Sequence, residues 1–204
     1  MADSSPTGLT PDEALVRLRD GNLRFLAGDI APALRDPGSH RFVAAAQAPF
    51  AALLACADSR VAPEILFSCG LGDLFVVRNA GNTADAAATG SLEYAVAKLG
   101  VPLIAVMGHD RCGAVEAALS VVEADARLPG AMGEMIAPIL PSAIRATRRP
   151  GQDRVRVAAE EHVLEVVGQL QARSAIIAAA VAAGRLRVAG GLYDLDEGRV
   201  RLVV

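Results

Sequence analysis

The 204-residue sequence has no tryptophan, and aromatic residues make up only 3% of it. Its interior must therefore be filled by aliphatic side chains, and hydrophobic residues do reach 52%. Much of that share is Ala and Val in long stretches that need covering, which favours self-association through buried helix faces. Lysine is nearly absent as well: Lys98 is the only one, and arginine carries the remaining positive charge. The formal net charge of −3 argues against a general nucleic-acid binder. No unbroken apolar run approaches the roughly 18 residues that a membrane-spanning helix needs. The most apolar stretch, SAIIAAAVAAG, is flanked by Arg173 and Arg185. The opening MADSSPTGLTPDEALV has neither a basic segment nor an apolar one, so no secretory signal is read there. Cysteine is scarce too. Three residues at irregular spacing make no disulfide framework and fit working thiols in a cytoplasmic protein.

What is present is a strand–helix alternation. In TPDEALVRLRDGNLRFLAG, Thr10 can cap a helix, Pro11 suits its first position and Glu13 completes a capping box. Leu15, Leu18, Leu23 and Phe25 give that helix its apolar face, and Gly21 weakens its middle. DIAPALRDPGSH reads as a loop and RFVAAAQ as a short helix. Three continuous apolar runs follow, PFAALLACADSR, LFVVRNAGN and VPLIAVMGHDR, each broken by a polar loop as buried strands are. A helix at GSLEYAVAKLG is expected between the second and third, with Ser91 near its start and Gly100 just past its end. Helical patterns follow Cys112, and one long helix is expected from about Asp153 to Ala183, closed by Gly184. The chain finishes with two strands joined at DEG. The expected fold is α/β: a mostly parallel central sheet flanked by helices, with an antiparallel C-terminal strand and an N-terminal helical arm. One domain spans 1–204, with the arm at 1–46 and the sheet core at 50–204.

The first apolar strand ends at Cys56, and the third ends at Gly108 with His109 and Cys112 next. Ligand sites in open α/β sheets gather at the carboxyl ends of strands where neighbouring connections diverge. If these two strands are neighbours, Cys56, His109 and Cys112 converge as a Cys2His set, a ligand set of catalytic zinc sites that keep a fourth position open. Cys112, expected in the first turn of the next helix, would have its thiolate favoured by free backbone N–H groups. Asp58 and Arg60 lie two apart on an extended loop and can pair there. Their pairing is either a simple loop tie or a device that holds Asp58 ionised and aimed at the fourth metal position.

CADSRVAPE, GLGDLFVVRNAGN, GSLEYAV and GHDRCGAV, with the ending GGLYDLDEGRV, resemble the signature blocks of the β-class carbonic anhydrases from about residue 10 onward. The similarity is greatest to bacterial, particularly actinobacterial, members. It implies a zinc lyase that interconverts carbon dioxide and bicarbonate through zinc-bound hydroxide, with one Zn2+ per chain. It also implies a homodimer or dimer of dimers, while the charge and the apolar runs read above lead to the expectation of no nucleic-acid or membrane partner. Cys56, His109 and Cys112 match the family's zinc ligands, and Asp58 and Arg60 its catalytic dyad; Asp58 is a fourth ligand in a closed state of some members. Gln47, Phe75, Ala80 and Tyr94 match substrate-pocket positions, Gln47 being contributed across the dimer interface. The Gly113 N–H is placed to meet the developing bicarbonate.

The pattern also departs from the family. Arg78 and Tyr193 match two of three residues of a bicarbonate lock, but Leu53 stands where the third is Trp. Cys69 reads as a half-buried, unreactive thiol, His162 as a surface residue of the long helix, and His40 as a loop residue. GLGDLF lacks the third glycine of a dinucleotide site and precedes a strand, which removes that reading. Two rivals stay open: a carbon disulfide or carbonyl sulfide hydrolase on the same zinc centre, and a structural zinc closed by Cys69 or His40.

Overall fold

The computed structural model describes residues 7–29, 38, 40–149 and 151–204. Most of the expected loop DIAPALRDPGSH lies outside the described residues. Five strands form one mixed sheet in the order β2-β1-β3-β4-β5. They are β1 (Ala51–Cys56), β2 (Leu74–Asn79), β3 (Leu103–His109), β4 (Arg187–Tyr193) and β5 (Val200–Leu202). The first four pair in parallel, and β5 runs antiparallel to β4. The sheet therefore grows from β1 to β2 on one side and to β3 on the other. That reversal puts the carboxyl ends of β1 and β3 at the switch point where ligand sites of open α/β sheets gather.

The central strands are continuous apolar runs because helices cover both their faces; every residue of β1 and β3 is buried. On one face Ala52, Leu54, Ile104 and Val106 pack with α4 (Ala86–Leu99), α8 (Arg154–Arg173) and α9 (Ala175–Ala182). On the other, Leu53, Ala55, Ala105 and Met107 meet α1 (Pro11–Leu26) and the short α3 (Pro63–Leu66). A third cluster joins α5 (Gly113–Ala124), α7 (Leu140–Thr147) and α8, and it takes in Cys56 and Cys112. Among the described residues, the short α2 (His40–Val43) and α6 (Met132–Ile136) complete the α-helices, and a 3-10 turn at Ala137–Ile139 follows α6.

The capping box at Thr10 and Glu13 is formed, and Gly100 ends α4 in a left-handed conformation. Other expectations need correction. Gly21 is required where it stands: a Cβ there would lie 2.0 Å from the Phe67 carbonyl oxygen, so its absence lets α1 sit against the turn after α3. Helix α4 starts at Ala86, capped by Asp85, and Ser91 lies inside it with its hydroxyl donating to the Ala87 carbonyl. The long helix is two helices bent by 92° at Ser174, whose hydroxyl caps α9 through Ile177 N and donates to Glu93. Among the described residues, no single helix is long and apolar enough to cross a membrane.

Candidate metal centre

Cys56 is the last residue of β1 and His109 the last of β3, so the sheet alone sets them side by side. Cys112 is not in the first turn of α5, as expected, but is its N-cap, with an extended backbone. Between them Arg111 adopts φ +49°, a turn that brings the side chains three apart to one side. The ligand atoms of Cys56, His109 and Cys112 all lie within 4.8 Å of one another, and all three residues are buried.

The donor atoms fit a metal ion. His109 Nδ1 lies 2.8 Å from the Asp110 carbonyl oxygen, which only accepts, so Nδ1 carries the hydrogen. Nε2 is then a lone pair with no protein partner in a fully buried side chain. The two sulfurs stand 3.9 Å apart, and two thiolates about 2.3 Å from one tetrahedral ion would stand roughly 3.8 Å apart. Without a cation the pair resists holding two charges. The hydrogen bond from Cys112, with the amides of Gly81 and Asp58, pulls Cys56 toward thiolate against its burial. Cys112 is pushed up by that neighbour and by burial, although the amides of Val115 and Ala114 at the start of α5 favour its thiolate. A divalent cation removes the conflict by neutralising both.

Asp58 lies beside this set. Arg60 grips it with two bonds, Nε to Oδ1 at 3.0 Å and a terminal nitrogen to Oδ2 at 2.8 Å, while the Arg60 amide donates to Oδ1 at 2.9 Å. These bonds hold its carboxyl far below the usual carboxylate range. Oδ2 nevertheless stays 3.9 Å from His109 Nε2. Arg60 also reaches the Arg111 carbonyl at 3.3 Å, tying the loop after β1 to the loop after β3. Arg78 donates to the carbonyls of Cys56 and Asp58 at 3.0 and 2.7 Å, so it supports the backbone that carries both residues.

Phe75 and Tyr94 face each other with ring centroids 6.3 Å apart, and Tyr94 is half exposed. Ala80 is half-buried, Gly113 is the exposed first residue of α5, and Gln47 is exposed. Leu53 is fully buried in the apolar cluster beneath α1, and Tyr193 pairs with His109 in register. Cys69 is half-buried with its thiol pKa pushed up to about 12 by burial. His40 begins α2 instead of lying in a loop. Neither joins the Cys56 group among the described residues. The expectation for His162 is overturned: it is 1% exposed, because it faces the turn after β2 and not solvent. Sequence reasoning missed that turn, where the Gly81 amide donates to Cys56 Sγ at 3.4 Å.

Comparison with known proteins gives one consistent result. Residues 51–200 match the family model described as carbonic anhydrase. Over 193 residues the chain is 46% identical to carbonic anhydrase 2 of Mycobacterium tuberculosis, covering 94% of this chain and 92% of that one. It is 45% identical over 192 residues to the carbonic anhydrase of Mycolicibacterium smegmatis, covering 94% and 93%. Among solved structures it resembles one of two tetrameric β-carbonic anhydrases from Sordaria macrospora, with a TM-score of 0.74 and 28% identity, covering 84% of this chain and 88% of that chain.

Proposed function

Since this chain belongs to the β-class carbonic anhydrase family, we propose that it hydrates carbon dioxide reversibly to bicarbonate and a proton at one zinc ion held by Cys56, His109 and Cys112. The observation that carries this reading is the buried, partnerless Nε2 of His109 facing two thiols 3.9 Å apart. Such an ion supplies an acidified water, its pKa lowered from about 15.7 to about 7 in the best-studied case.

The chain's own residues do the rest. Held ionised by Arg60, Asp58 accepts a hydrogen bond from the nucleophile, the proton staying where it is, and so turns the nucleophile's lone pair toward the substrate carbon. The same Arg60 grip keeps Asp58 from closing the fourth position. Gly113, at the amino end of α5, offers its N–H to the oxygen on which charge develops. Phe75, Ala80 and Tyr94 form the apolar wall that a small nonpolar gas requires, and Gln47 of a second copy completes the pocket. Self-association is supported by β2, an edge strand whose apolar side chains are only partly covered. We read the whole chain as one domain.

The test is Asp58→Asn, assayed by stopped-flow hydration with zinc measured on the same sample. Turnover should fall by roughly 100- to 10,000-fold with zinc retained. A variant that hydrates carbon dioxide at the normal rate would refute the role given to Asp58. Loss of zinc together with turnover would place it among the ligands instead.

A further inference from the structure

His162 takes no part in the chemistry above, yet it is buried, and its contacts lead back to the metal centre. It projects from α8 onto the turn after β2, where its Nε2 lies 2.9 Å from the Gly81 carbonyl oxygen. That oxygen only accepts, so Nε2 carries the hydrogen and donates. Nδ1 is buried with no partner. Burial keeps the ring neutral, with a pKa pushed down to about 4. The charged groups that bear on it are Glu165 of its own helix and Arg145 of α7.

On the other side of the same residue, the Gly81 N–H points at Cys56 Sγ, 3.4 Å away. The turn is held in an uncommon shape. Gly81 has φ +77° and Asn82 has φ +44°, and a Cβ on Gly81 would stand 2.6 Å from the Ile139 Cδ1 methyl. Asn79 and Thr83 clamp its base, with Asn79 Nδ2 donating to the Thr83 carbonyl and the Thr83 amide donating to Asn79 Oδ1, both at 2.8 Å. At the tip, the peptide that joins Gly81 to Asn82 is held from both ends, its N–H donating to the Asn79 carbonyl at 3.3 Å and its carbonyl accepting from His162. The Asn82 bond is the longer of the two, and His162 supplies the shorter one, on the carbonyl side.

We propose that His162 is a positioning residue of the metal centre, holding the Gly81 carbonyl so that the Gly81 N–H stays on the Cys56 sulfur. The inference rests on the zinc reading above. A hydrogen bond to a metal-bound thiolate draws charge from the sulfur, so it tunes the metal without touching it.

The protein in which cobalt replaces zinc makes the sulfur visible, through a sulfur-to-cobalt charge-transfer band. Two variants of similar bulk separate donor from filler: His162→Gln can still donate, and His162→Leu cannot. In His162→Leu the band should move to lower energy, and cobalt affinity in chelator competition should fall about tenfold or more. His162→Gln should keep the wild-type band and lie within about threefold in affinity. Identical bands and affinities in all three proteins, or equal losses in both variants, would overturn the proposal. A wild-type chain that takes up no cobalt would overturn the zinc reading and this inference with it. If His162→Leu does not fold, the wild-type protein loaded with cadmium-113 gives a second measurement. A metal-to-amide coupling at Gly81 is expected, and its absence would overturn the proposal.

Discussion

Among the described residues, two groups of three potential metal ligands sit at the same end of the sheet, and only one of the two suits a resident cation. Cys56, His109 and Cys112 are buried and keep a lone pair without a partner; Asp110, Asp194 and Asp196 are half-buried to exposed, and their oxygens are in use. Asp110 accepts the Leu195 amide at 2.8 Å and pairs with Arg111 at 3.2 Å. Asp194 accepts the amides of Asp196 and Glu197, and Asp196 takes Arg111 at 2.9 Å. The acidic group is a folded turn already neutralised by arginine. Closeness of ligand-type atoms alone therefore says little. What marks the site is the conjunction of a buried ring nitrogen without a partner and two buried thiols within reach of the same ion.

Breaking the buried group should have the largest effect. His109→Ala or Cys112→Ala removes one of three ligands, about a third of a binding free energy of roughly 10–16 kcal/mol, so zinc affinity should fall by roughly 300- to 8,000-fold. Dialysis against a chelator, followed by metal analysis, measures this directly. Gly81→Ala acts one step further out. It forces a Cβ into φ +77° and toward the Ile139 methyl, which should destabilise the fold by roughly 3 kcal/mol in denaturant melts.

His162 gives a smaller, pH-dependent difference. Its folded pKa of about 4 lies below the unfolded 6.5, so the unfolded chain binds the proton more tightly. Stability is then fully present above pH 6.5 and is lost as pH falls toward 4. By pH 5 the wild type should lose about 2 kcal/mol that His162→Gln keeps. Equal losses in the two proteins would show that the imidazole is not held neutral. Least of all, Asp194→Asn in the acidic turn should change stability by no more than about 1 kcal/mol and leave zinc content unchanged. A drop in zinc content would dissolve the contrast between the two groups.

The buried group was readable because its parts are local: a continuous apolar run marks each strand, and the ligand-type residues stand where the runs stop. The first turn of α1 was legible for the same reason, since Thr10 and Glu13 bond within three residues. What escaped depends on distant partners. Gly21 makes room for the turn at Phe67, and Ser174 breaks a helix with help from Glu93, 81 residues away in sequence. His162 reaches Gly81 across the same separation, and nothing beside it in the chain distinguishes it from a surface histidine. Asp85, by contrast, was a visible cap-type residue ahead of an alanine run without periodicity, and the helix start was missed there.

The central claim is that turnover belongs to the metal held by Cys56, His109 and Cys112. Stopped-flow carbon dioxide hydration at about pH 8.5, on samples loaded from zero to one zinc per chain, tests it most directly. A rate that rises in proportion to zinc and vanishes without it is the expected result. A rate independent of zinc, or no turnover at one zinc per chain, would contradict the account.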